Sequence, residues 1–224
     1  MIDYVKIDTT ITIGGIAIHQ PVTAFTDIIL SVICFCFFLK LKQINNPDKS
    51  TKNWTFFYLF LCLASFTGAF SHALFLIHSG TGYDSLWLPM QLFNVWAAFS
   101  AQYATYNSVL KNSSNKNIWK WFSIILLLIS SISVFVFHNF LVVVIDSAIA
   151  LIPVMIIHFM DVRHNKNSEY IAWGIVILFI TAIINGTKIS INEYCTYLDI
   201  AHLFIITSLS VMLIGIRRNT ISLK

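Results

Sequence analysis

The chain has 224 residues, 57% of them apolar and 11% charged, with a mean hydropathy of +0.77 and a formal net charge of +4. A core of this size cannot hide that much hydrocarbon from water, so composition excludes a soluble domain and predicts an all-α integral membrane bundle. The small basic excess gives no reason to expect a nucleic-acid partner.

Residues 1–20 lack a basic stretch followed by an apolar one, so they read as an outer tail and not as a cleaved signal peptide. Crossing about 30 Å of hydrocarbon takes roughly 20 apolar residues. Seven stretches meet that need, at about 22–41, 54–77, 86–110, 118–137, 140–160, 171–187 and 198–216. The connectors between them are short and polar, and no repeat or low-complexity tract interrupts them, so 1–224 is expected to be a single seven-helix domain.

Lys40, Lys42, Lys49 and Lys52 follow the first stretch, Lys111, Lys116 and Lys120 the third, Arg163 and Lys166 the fifth, and Arg217, Arg218 and Lys224 end the chain. The opposite side keeps only Lys6 and Lys188. The excess of cations in cytoplasmic loops then predicts a cytoplasmic C-terminus and an outer N-terminus, in the plasma membrane or, in a bacterium, the inner one. Cys34, Cys36, Cys62 and Cys195 fall on no shared oxidising face, so they read as small apolar filler. Trp54, Trp87, Trp119, Trp121 and Trp173 lie near stretch ends, where indoles form an interfacial belt, while Trp96 lies deeper beside Asn94.

Counting depth at about 1.5 Å per helical residue places Asp27, His72, Asn94, Asp146, Asp199 and His202 in one layer near the outer end. Asp84, His78 and Glu193 sit at its rim, and the inner halves offer Gln102, Asn107, Ser65 and His158. An ionisable group at mid-bilayer depth costs about 2.5–3.5 kcal/mol on insertion scales, so it usually has a partner or a task. Two imidazoles and several carboxylates at one depth are an inventory for metal binding or for acid–base chemistry. Asp199 and His202, three residues apart, project from one helical face, so the carboxylate could ligate beside the imidazole or orient it. The bland alternative is that single polar residues only bond neighbouring helices.

Other seven-span chemistries fit less well. A retinal protein needs a lysine in the last span, and none lies between Leu198 and Ile216. A b-type haem needs facing axial histidines, which only His72 and His202 could supply. Pro21, Pro47, Pro89 and Pro153 show no matched helix breaks of the kind that transporters use.

The run Ser71, His72, Ala73, Leu74, then Asp84, Leu86, Pro89 and Met90, and a histidine early in the last span, resembles the CREST superfamily of seven-span membrane hydrolases, which includes the alkaline ceramidases and the adiponectin and progestin receptor family. The resemblance implies a zinc ion held by His72 and His202, with Asp84 as the aspartate after the second span and a membrane lipid amide or ester as substrate. The chain departs from the pattern twice: Leu198 stands at the first histidine of the span-seven pair, and Gly68 at a serine one turn before His72. The third ligand would then come from Asp199, Asp84 or His78. Zinc in such a mixed set would lower the pKa of its water to about 7. The expectation is therefore a zinc-dependent lipid hydrolase with metal ligands His72, His202 and Asp199 and catalytic carboxylates Asp84 and Asp199. The competing expectation is a non-enzymatic lipid-binding, sensor or structural protein whose polar layer fixes helix packing.

Overall fold

The computed structural model describes residues 9–74, 81–111, 113–192 and 194–222. Its first element lies in the segment expected to be tail. Strands β1 (Thr10–Ile13) and β2 (Ile16–His19) pair antiparallel. Gly14 and Gly15 join them with φ of 59° and 83°, and a two-residue hairpin turn of type I′, whose twist matches that of the strands, needs positive φ at both places. The run Ile11-Thr-Ile-Gly-Gly-Ile-Ala-Ile18 carries that signal.

The Gln20 amide donates to the Thr9 carbonyl at 2.9 Å, and Gln20 itself is left-handed with φ 43°, which swings the chain into α1 (Pro21–Lys42). Pro21 opens that helix, where a missing N–H leaves no bond unmade. Six more helices follow: α2 (Lys49–Leu74), α3 (Thr81–Ser108), α4 (Lys116–Phe137), α5 (Leu141–Asp161), α6 (Ser168–Thr187) and α7 (Tyr197–Ser222). They match the seven expected stretches to within six residues at each end, α7 running on to Ser222 and α2 and α3 starting five residues early, except that the expected end of the second at Ile77 lies outside the described residues.

Six of the helices are long and apolar enough to cross a bilayer, as a membrane protein requires. The exception, α3, carries Gln91, Asn94, Ser100, Gln102 and Thr105, which lower its hydropathy. It nonetheless packs against α2, α4 and α5. Its Ala97, Ala98, Ala101 and Ala104 are buried, and small residues of this kind let neighbouring helices approach closely.

Six helices form a ring: α1 on α2, α2 on α3, α3 on α5, α5 on α6, α6 on α7, and α7 back on α1, with α4 outside against α3 and α5. Gly174 seats α6 on α7, since a Cβ there would run into Met212 and the Ser208 carbonyl, and Ser208 Oγ donates to the Gly174 carbonyl at 2.6 Å. Ile125, Leu128, Ile129, Ile132, Phe135 and Val136 of α4 point outward. An apolar face of that extent belongs against hydrocarbon.

Contacts between helix ends show the alternation of direction. Thr51, opening α2, meets Thr220, closing α7, at 3.0 Å, while His138, after α4, lies 3.8 Å from Asp84, at the start of α3. One end of the bundle therefore holds the hairpin and the starts of α1, α3, α5 and α7. The other holds most of the lysines.

Candidate functional site

The site grows from the first turn of α7. Thr196 precedes the helix, and its amide and hydroxyl both donate to Asp199 Oδ2, at 2.7 and 2.9 Å. The Leu198 amide in turn reaches Thr196 Oγ1 at 3.2 Å. This is a reciprocal cap, with the carboxylate three residues inside the helix reaching back to the first orphan donor. Asp199 thus has a helix-starting task that its spacing to His202 does not reveal.

Its second oxygen points to α1, where Thr26 Oγ1 lies 3.2 Å from Asp199 Oδ1. Thr26 Oγ1 is also 2.8 Å from His202 Nδ1, and His202 Nε2 is 3.3 Å from Asp27 Oδ1. Carboxylate, imidazole, hydroxyl and carboxylate therefore form one chain between α1 and α7. Asp27 and Asp199 are buried, and the His202 side chain keeps only 13% of its surface open.

Thr26 has one proton to donate and three acceptors near it, because the Thr23 carbonyl lies at 3.0 Å. When His202 Nδ1 is bare, the hydroxyl can donate to it. When Nδ1 carries a proton, the hydroxyl accepts and turns its own proton to Asp199 or Thr23. The chain can thus exist in two hydrogen-bond directions without any helix moving.

Asp27 faces α2 at Gly68, where a Cβ would stand 3.3 Å from Asp27 Oδ2. The absence of a side chain at Gly68 leaves room for the carboxylate. The glycine that breaks the expected serine pattern is thus the residue that admits Asp27 from α1.

Other members of the expected layer hold separate partners. His72 Nδ1 bonds Gln20 Oε1 at 2.7 Å, and the ring sets its edge on Trp87 with centroids 6.5 Å apart. Asp84 faces His138. Asp146 accepts from Ser130 at 2.6 Å, tying α5 to α4. Asn94 bonds one turn back along its own helix, to the Met90 carbonyl and sulfur. His158, near the lysine-rich end, lies 3.2 Å from Thr105 Oγ1. His78 and Glu193 lie outside the described residues.

The structure therefore joins Asp199 and His202, and adds Thr26 and Asp27 to them. Asp27 was in the sequence-derived layer, but nothing in the sequence tied it to His202 at the far end of the chain, and Thr26 showed no signal beyond its place next to Asp27. Among the described residues no three His, Cys, Asp or Glu side chains converge as ligands. Asp199 gives its oxygens to Thr196 and Thr26, and His202 has both ring nitrogens engaged. Of the three expected ligands, Asp199 and His202 meet at Thr26, while His72 turns to Gln20.

Beside the cluster, on the α1–α2 surface, runs an apolar groove of about 200 Å³ lined by Ala24, Phe25, Ile28, Ala69, Phe70 and Ala73. Trp96 stands on the outer face of α3 with Phe60 and Phe93, at 5.5 and 6.0 Å between centroids.

Residues 22–221 match a family described as a family of unknown function, DUF6962. No curated protein and no solved structure matches the chain.

Proposed function

From the premise that the chain belongs to the DUF6962 family, whose function is unknown, we propose that it is a seven-span, non-enzymatic membrane protein that holds lipid beside a polar clamp between its first and last helices. One observation carries the reading: Asp27, Asp146, Asp199 and His202 each bond a side chain of another helix, while Asn94 turns back on its own. Asp199 holds Thr196 and Thr26, His202 holds Thr26 and Asp27, and Asp146 holds Ser130. Polar side chains used this way link transmembrane helices. The groove beside Asp27 is wholly apolar in its lining residues and suits an acyl chain. The lysine distribution supports a cytoplasmic lysine-rich end, with the hairpin outside.

A second reading is hydrolysis of a lipid amide or ester. It is favoured by Asp27 reaching the space at Gly68, so that a carboxylate stands where the resemblance expects a serine. Acid–base chemistry would then belong to Asp27 and His202, a pair in which a proton can pass between two buried groups.

Metal content separates the two. The protein is purified in mild detergent without chelator or nickel, and its metals are counted for wild type, His72→Ala and His202→Ala. The clamp reading expects no stoichiometric metal, co-purified lipid, and lowered stability of His202→Ala. About one zinc per chain, lost in both variants together with release of fatty acid from lipid amides or esters, would overturn it.

A further inference from the structure

At the lysine-rich end the acids are Asp48, Asp161 and Glu169, against Lys40 and Lys42 closing α1, Lys49 and Lys52 opening α2, Lys111, Lys116 and Lys120 around the α3–α4 connector, Arg163 and Lys166 between α5 and α6, and Arg217 and Arg218 near the end of α7. Asp48 caps the start of α2 by accepting from the Thr51 amide at 2.8 Å, and Asp161 accepts from Ser168 at 2.5 Å. Among the described residues no lysine or arginine of this end forms an ion pair with a carboxylate. The end thus presents unneutralised positive charge at the level where a bilayer places its headgroups.

A cleft of about 320 Å³ opens there between the α3–α4 connector and the last turns of α5, lined by Leu110, Ser113, Asn115, Ile118, Trp119 and Ile157. Its walls are aliphatic, from Leu110, Ile118 and Ile157. Its indole wall is held in place, because Trp119 Nε1 donates to the Gln102 carbonyl at 3.3 Å. Its polar groups, Ser113 and Asn115, belong to the connector. Lys111 and Lys116 bracket that connector and both are exposed. Lys120 follows one turn on, with its ammonium 5.9 Å from the Trp121 ring.

Apolar walls that end in a polar rim flanked by unpaired lysines match the shape of a phospholipid, and the lysines favour a headgroup with net negative charge. We propose that this cleft binds one anionic phospholipid, with an acyl chain against Leu110, Ile118 and Ile157 and the phosphate between Lys111 and Lys116. The site is separate from the hairpin-end groove and does not depend on what the α1–α7 clamp does.

The test is native mass spectrometry of the full chain in detergent, titrated with phosphatidylglycerol and with phosphatidylcholine of the same acyl chains. The expected result is one saturable phosphatidylglycerol adduct, about thirtyfold tighter than phosphatidylcholine, as two nearby lysines imply. Lys111→Glu with Lys116→Glu removes the preference, whereas Lys40→Glu with Lys42→Glu, an equal charge change in the last turn of α1 at the same end, keeps it. Ile157→Trp fills the cleft and removes the adduct. Equal binding of the two lipids, a preference that survives the Lys111/Lys116 change, or an equal loss in the Lys40/Lys42 control overturns the proposal. The lysine variants lie on the surface, so they remain decisive if Ile157→Trp fails to fold.

Discussion

His202 Nε2 lies 3.3 Å from Asp27 Oδ1, and this contact closes the ring of helices by fastening the last to the first. Its contribution to stability is measurable by a double-mutant cycle of Asp27→Asn and His202→Gln, followed by unfolding in mixed micelles. Interhelical polar pairs average about 0.6 kcal/mol with a ceiling near 1.7 kcal/mol. A coupling in that range is expected, and a coupling of zero would remove the clamp from the account.

Asp199 acts first on its own helix. Replacing it with alanine orphans the Thr196 amide and is expected to lower stability by about 1 kcal/mol, the usual worth of a helix cap. Asp199→Asn keeps one oxygen that can accept from Thr196, so its loss is smaller. Hydrogen exchange over the first turn of α7 reads the difference, and equal effects of the two variants would refute the capping role.

Two glycines of α6 give opposite expectations. A Cβ at Gly174 collides with Met212 and backbone of α7, so Gly174→Ala forces the helices apart at a cost of about 1–3 kcal/mol. At Gly186 nothing lies within 4 Å. Gly186→Ala is expected to be neutral or to stabilise by up to about 1 kcal/mol, from helix propensity alone. Thermal unfolding of the pair ranks them directly.

The hairpin depends on its turn. Gly15 has φ 83°, where a Cβ strains the backbone by about 1–2 kcal/mol. Gly15→Ala should therefore lose amide protection across Thr10–His19 while the seven helices keep theirs. Retained protection of the hairpin would show that its stability comes from α2 and not from the turn.

Chelation gives a further reading of the α1–α7 site. If its polar atoms satisfy one another, prolonged treatment with a strong chelator leaves the melting temperature unchanged. A fall of several degrees, restored by zinc and absent in His202→Ala, would instead mean that the ion holds these helices together.

Much of the fold was legible because the bilayer imposes a length and an apolarity on each span that a single sequence displays directly. The hairpin was written in the sequence too, in the alternation around Gly14 and Gly15, but its strands are short and lie before the first span. The site was half legible. Depth along each helix can be counted residue by residue, and that count alone puts Asp27, His72, Asp146, Asp199 and His202 in one layer. Rotation about each helix and choice of neighbour cannot be counted that way.

By itself the sequence determined the class, seven helices with lengths suited to a bilayer, the lysine-rich end and the level of the polar residues. These follow from transfer energies that act residue by residue along the chain. Tertiary structure alone decided the partners: that Asp27 meets His202, that His72 turns to Gln20, that Asp199 caps its own helix, and that Gly68 leaves space for a carboxylate from α1. Pairing depends on which faces of distant helices pack together, and that is settled by close contacts between side chains far apart in sequence, such as the fit of α6 on α7 at Gly174.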